Sequence, residues 1–238
     1  MKILLNLIAT NKYLYFLDHI CPTIEEHFFP GHEITALVHT NLEIPEKFQD
    51  SSRIKFIKNE IQHEPWPAPT LKRFEYFLSA QEELEKNDFC FYIDVDSLFI
   101  KDLPEEILGV EGMIGTIHPC LFNGPGTPDR NPNSKAYIPH GSNNRYFCGG
   151  FIGGSTEDFI RTSTIIRDNI NDDLSRGVIA IWHDESHINK HFFENPPAVI
   201  LDRPFAVAEN LTAPEDSSRI LFMDKSTRGG HDFFRSET

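Results

Sequence analysis

Residues 89–99 read FCFYIDVDSLF, and the fold class turns on how this stretch is understood. Five consecutive apolar residues, rich in aromatic and β-branched types, suit a strand buried on both faces. The strand ends in Asp94-Val95-Asp96, whose alternate positions put both carboxylates on one side of the extended chain. At the carboxyl end of a strand in an open α/β sheet, two such groups can hold a divalent ion that also binds a diphosphate. The plainer alternative is a strand-end turn with solvated aspartates, but the apolar run puts the metal reading ahead. A haloacid-dehalogenase-type phosphatase also ends a strand in Asp-x-Asp. There it is the first strand, whereas this motif lies mid-chain and is followed by Ser97-Leu98.

Working outward, strand-like runs precede it at residues 2–9, 33–40 and 53–58, and helical patterns alternate with them at 13–28 and 71–84. Pro22 is expected to kink or interrupt the first helix, and Thr70 to cap the second. The order βα, βα describes a Rossmann-like half, but the first strand lacks the Gly-x-Gly-x-x-Gly turn of a dinucleotide site. After Asp96 the chain changes character. Residues 123–144 cluster Gly, Pro and Asn, and a Gly-rich, strand-like stretch then leads into a helix from about Thr156. A single domain over residues 1–238 is expected, with a nucleotide-binding half over 1–96 and a donor and acceptor half over 97–238. A loop as long as 123–144 in a compact domain is usually an active-site element or disordered.

The chain has 238 residues, 39% apolar and 12% aromatic, enough to bury about three quarters of its unfolded surface. With 36 acidic against 22 basic residues, the formal charge of -14 repels nucleic acid and anionic membrane surfaces. No nucleic-acid partner is expected. Such a protein can bind a diphosphate only by neutralising it locally, with a metal ion or placed cations. Cys21, Cys90, Cys120 and Cys148 form no Cys-x-x-Cys pair and read as buried free thiols. The opening MKILLNLIAT is too short an apolar run for a signal peptide or a membrane span, so a cytoplasmic protein without a span is expected.

Three further segments carry candidate chemistry. In Trp182-His183-Asp184-Glu185-Ser186-His187, the two histidines are four apart, which raises a zinc site, although Asp184 stands where a zincin has glutamate. Equally, Asp184-Glu185 in a first helical turn could merely complement the helix dipole. Gly149-Gly150-Phe151-Ile152-Gly153-Gly154-Ser155 permits close approach of a ligand to backbone, and the phosphate-loop pattern is absent. The tail 224–235, DKSTRGGHDFFR, could close over a diphosphate with its cations or remain a frayed, solvated terminus.

Taken together, ATNKYLYFLDHICPTIEEHFFPGHEI, WPAPTLKRFEYF, FYIDVDSLF, GTIHP, AYIP, GGFIGGS, WHDESHINK and DKSTRGGHDFFR resemble, collinearly over nearly the whole chain, glycosyltransferase family 6. That family contains the ABO blood-group transferases and the α-1,3-galactosyltransferases. The resemblance implies an α/β fold of GT-A type around a mixed, mostly parallel sheet. It also implies retaining α-1,3 transfer of N-acetylgalactosamine or galactose from a UDP-sugar to a galactoside on an oligosaccharide acceptor, with manganese, or magnesium in its place, as cofactor. Residue by residue, Ile8, Ala9 and Tyr13 match uridine-binding positions, and Arg73 matches a basic residue near the donor sugar. Asp94 and Asp96, flanking Val95, match the metal-binding carboxylates. Glu185 matches the catalytic carboxylate and Asp184 a donor-sugar ligand. His118, Trp182 and Glu209 match acceptor-side residues, and Lys225 and Arg235 match tail cations on the diphosphate. Cys148 and Gly150, on either side of Gly149, match positions around carbon 2 of the donor, so a methyl at 150 is expected to intrude on an acetamido group.

Departures qualify the transfer of these roles. Vertebrate members carry a membrane anchor and stem; no counterpart is expected here, so Golgi residence is not expected to carry over. Many bacterial members have asparagines in place of both metal-binding aspartates, whereas this chain keeps Asp-Val-Asp. Cys120-Leu121-Phe122 replaces the usual residues after His118-Pro119, which alters the expected acceptor specificity. The competing function is a carbohydrate-binding protein of GT-A-like fold, using Trp66 and Trp182 as stacking platforms without turnover.

Overall fold

A computed structural model describes residues 1–49, 51–121, 124, 126–142, 145–211 and 213–236. Phe122 and part of the 123–144 stretch lie outside the described residues. In chain order the strands are β1 (Lys2–Ile8), β2 (Glu33–Thr40), β3 (Ile54–Glu60), β4 (Phe89–Ile93), β5 (Ser97–Phe99), β6 (Met113–Ile117), β7 (Phe147–Ser155), β8 (Val199–Leu201), β9 (Val207–Ala208) and β10 (Ile220–Phe222). The helices are α1 (Leu17–His27), α2 (Ala68–Leu71), α3 (Arg73–Ser79), α4 (Gln81–Leu84), α5 (Thr156–Ser175), α6 (His183–Glu194) and α7 (Gly230–Arg235).

Seven strands form one sheet in the order β3-β2-β1-β4-β7-β6-β8. β1 runs parallel to β2 and β4, β2 to β3, and β6 to β8; β7 alone is antiparallel to its neighbours β4 and β6. This is a mixed, mostly parallel α/β fold of GT-A type. Parallel strands are covered on both faces, which is why β1 and β4 read as continuous apolar runs rather than alternating ones. One layer packs Ile3, Leu5, Phe28, Phe91 and Phe151 under α1, and the other packs Leu4, Phe77, Tyr92, Phe159 and Ile188 under α3, α5 and α6. β5, β10 and β9 form a second, small sheet beside the carboxyl end of β4.

Four expectations change. α1 runs through Pro22 without interruption, because Leu17, Ile20, Cys21 and Ile24 are all buried and tertiary packing outweighs one missing amide bond. The helix expected over 71–84 is three short pieces, broken at Lys72 and Ala80. Thr70 does not cap it: its hydroxyl donates back to the Pro67 carbonyl. Cys21, Cys90 and Cys148 are buried free thiols as expected, but Cys120 is exposed. The helix at Thr156 begins where expected, with Ser155 as N-cap accepting from the Asp158 amide. Among the described residues, no helix is long and apolar enough to cross a membrane.

Candidate active site

β4 stops at Ile93, and its extension carries Asp94 and Asp96 onto the wall of an open cavity at the carboxyl end of the parallel strands. This is where ligands gather in open α/β sheets. The Asp94 amide donates to the Gly150 carbonyl at 2.9 Å, so the first aspartate stays in register with β7. Ile8 at the end of β1, Tyr13, Arg73, Val95, Lys225 and Arg235 line the same cavity. Ala9 does not face it: it is wholly buried in the core, its amide donating to the His39 carbonyl. The wall also includes residues with no expected donor-site role, among them His63, Glu64, Thr70, Tyr92 and His231.

Each aspartate has a cation against it. Lys225 donates directly to Asp96 Oδ2, and the Arg73 guanidinium lies 3.6 Å from Asp94 Oδ1, which also accepts a 2.6 Å hydrogen bond from the Tyr92 hydroxyl. Burial works against a charge on Lys225, but Asp96 outweighs it and holds the ammonium protonated. Arg73 is itself buried, stacks over the Tyr92 ring at 4.3 Å, donates to the Gly149 carbonyl and pairs with Asp184 at 2.9 Å. That last contact is off-axis, an ion pair rather than a linear hydrogen bond. Burial pushes the Asp184 carboxyl up to about 6 despite Arg73.

Among the described residues, no set of three or more His, Cys, Asp or Glu side chains gathers as a metal cage. Two carboxylates on one cavity wall nevertheless suit an ion that takes its other oxygens from a diphosphate and water, so the donor set fits manganese or magnesium. The zinc alternative at His183 and His187 loses its geometry. His183 has φ of +51° and packs edge-on against Trp66, whereas His187 is buried with Nε2 3.6 Å from Asp173.

Glu185 is not among the residues that line this cavity. It sits in the first turn of α6, which the left-handed backbone at His183 swings towards β7. Its Oε2 accepts from the Gly149 amide and its Oε1 from the Tyr146 hydroxyl, both at 2.9 Å. Burial pushes the carboxyl up to about 7, and those two hydrogen bonds oppose the shift. Gly149 is the hinge of the arrangement. A β-carbon there would stand 3.1 Å from Arg73 Nη1 and 3.6 Å from Glu185 Cβ, so glycine lets both approach the strand.

A methyl at Gly150 would meet protein atoms. It would lie 2.6 Å from the Phe222 ring and 3.0 Å from Asp94 Oδ2. Cys148 is buried, its thiol pushed up to about 12 by burial and the neighbouring Glu185. His118 meets the ring of Tyr146, the partner of Glu185, edge-on at 5.8 Å, and the carbonyl of the exposed Trp182 accepts from the Glu185 amide at 3.0 Å. Glu209 is not brought to the cavity. It accepts from the Asp224 amide and pairs with Arg228 at 2.7 Å, tying the small sheet to the tail. On the tail itself, Arg235 stacks over Trp66 at 4.2 Å and Phe234 packs on Tyr13.

The glycosyltransferase family 6 model matches residues 1–230. The chain belongs to glycosyltransferase family 6. The family member is 28% identical over 87% of its length to rat histo-blood group ABO system transferase 1, covering 61% of that protein. It is 29% identical over 92% of its length to the O-antigen biosynthesis glycosyltransferase WbnI of Escherichia coli, covering 92% of it. Against chicken globoside α-1,3-N-acetylgalactosaminyltransferase 1 the identity is 27%, over 90% of this chain and 64% of that one. The chain thus spans about three fifths of the length of the rat ABO transferase.

Proposed function

We propose that this protein is a retaining glycosyltransferase that moves N-acetylgalactosamine or galactose from a UDP-sugar to a galactoside hydroxyl in α-1,3 linkage. The observation that carries the reading is the Arg73 relay. One buried guanidinium touches Asp94, Asp184 and the Gly149 carbonyl, and so joins the aspartate-lined cavity to the carboxylate of Glu185. Asp94 and Asp96 would hold a divalent ion, which supplies charge stabilisation to a leaving diphosphate. Tyr13 and Ile8 bound the nucleoside end of the cavity, and Lys225 and Arg235 bring positive charge to the diphosphate.

As the bond to UDP breaks, positive charge develops on the sugar, and Glu185 offers a fixed carboxylate to it. A covalent glycosyl-enzyme and a stabilised ion pair both retain configuration. His118 and Trp182, beside Glu185, form the acceptor side. UDP-N-acetylgalactosamine is expected to serve at least as well as UDP-galactose. The test is UDP release from each donor with manganese, with and without simple galactosides. Release stimulated by a galactoside is expected, whereas sugar binding with no UDP release from any donor would make the chain a binding protein.

A further inference from the structure

We infer that Tyr146 is a positioning residue that fixes Glu185, and that segment 126–142 is the clamp that fixes Tyr146. The inference rests on the proposed role of Glu185. Glu185 is a two-bonded side chain in a strained first turn, and one of its two oxygens depends on Tyr146 alone among the contacts described. The phenol is well suited to this: burial and Glu185 push it far above its ordinary range, so it stays a neutral donor.

The ring in turn has nowhere to move. Gly126, at φ of +67°, lies so close that a β-carbon there would stand 2.2 Å from a Tyr146 ring carbon, and only glycine fits. Thr127 hydrogen-bonds the phenol, and the Tyr146 carbonyl accepts from the His118 amide at 2.9 Å.

The same segment holds the chain that leads into Glu185. Asp129 is 97% buried; its two oxygens accept from the Asn131 amide at 2.7 Å and the Ile181 amide at 2.9 Å. Ile181 immediately precedes Trp182 and α6. Further along, the Ser134 hydroxyl and Lys135 amide both donate to the buried carboxylate of Asp173 in α5. One segment therefore sets the position of the hydrogen-bond donor and of the turn that carries its acceptor. A carboxylate held this way keeps its lone pairs aimed without paying for reorientation during the reaction.

The experiment is a double-mutant cycle between Tyr146→Phe and Glu185→Gln, read as turnover and donor KM with manganese. Phenylalanine keeps the packing against Gly126 and removes only the hydroxyl. In the wild-type background Tyr146→Phe should lower kcat about tenfold or more, with donor KM nearly unchanged. In the Glu185→Gln background it should cost almost nothing more. Equal losses in both backgrounds, or no loss in either, would overturn the inference while leaving the role of Glu185 standing. If Glu185→Gln alone keeps full turnover, both readings fall. Asp129→Asn serves as the second probe: it should lower kcat severalfold and add little to Tyr146→Phe, and full additivity would detach the clamp from this role.

Discussion

The two acidic regions of this molecule are neutralised in opposite ways. Asp94 and Asp96 face cations, Arg73 and Lys225, across an open cavity. Glu185 faces neutral donors, a backbone amide and a phenol, in a buried niche. Charges that meet cations can exchange partners, so the aspartates suit ligands that come and go with a nucleotide. A carboxylate held by fixed dipoles keeps its orientation, and here burial raises its pKa while those dipoles partly offset the rise. Arg73 links the two regions through backbone: it pairs with Asp94 and donates to the Gly149 carbonyl, while the Gly149 amide donates to Glu185.

The largest expected effect falls on the aspartate side. If the proposed function holds, Asp94→Asn or Asp96→Asn costs orders of magnitude in UDP release, and exhaustive chelation with EDTA does the same to the wild type. Full activity after chelation would break the assignment of that region to a metal.

The glutamate side predicts a pH profile. With its carboxyl pushed up to about 7, the ionised form dominates only above neutrality, so kcat should fall about tenfold per pH unit on the acid side of 7. A profile flat down to pH 5 would mean that the ionised carboxylate is not what acts.

The same burial has a thermodynamic side. A carboxyl raised from 4.5 to about 7 contributes stability fully below 4.5 and loses it as pH rises through 7, roughly 3 kcal/mol in all. Glutamine can still accept from the Gly149 amide through its oxygen and can donate to the Tyr146 hydroxyl through its nitrogen, without the charge. Glu185→Gln should therefore match the wild-type Tm at pH 4.5 and exceed it by several degrees at pH 8. A lower Tm at pH 8 would mean that the site is not strained by its charge.

The smallest effect separates packing from donor choice. Gly150→Ala should cost about 1–3 kcal/mol of stability, because its methyl must displace the Phe222 ring. A thermal melt checks this; an undiminished Tm would show that β10 yields and return position 150 to the question of donor specificity.

Much of the sheet was legible because buried parallel strands leave unbroken apolar runs, and β2 and β4 begin and end where those runs do. The Asp-Val-Asp pair was legible for the same reason, being the polar end of one such run. What escaped depends on contacts remote in sequence or on backbone that no pattern encodes. Tyr146 bonds a partner 39 residues away. His183 adopts a left-handed conformation that histidine does not advertise. The neighbours a β-carbon at Gly150 would meet, Phe222 and Asp94, come from elsewhere in the chain. The break at Lys72, which starts α3 at Arg73, leaves no breaker residue in the sequence between Leu71 and Leu84.

In the proposed function Glu185 acts on the transition state and the aspartate cavity binds the donor. Donor binding and turnover measured together on Glu185→Gln test it most directly, using UDP release with manganese and calorimetric affinity for the UDP-sugar. Donor affinity close to wild type is expected, with turnover lower by about a hundredfold or more. Turnover left near wild type, or a loss explained wholly by weaker donor binding, would contradict it.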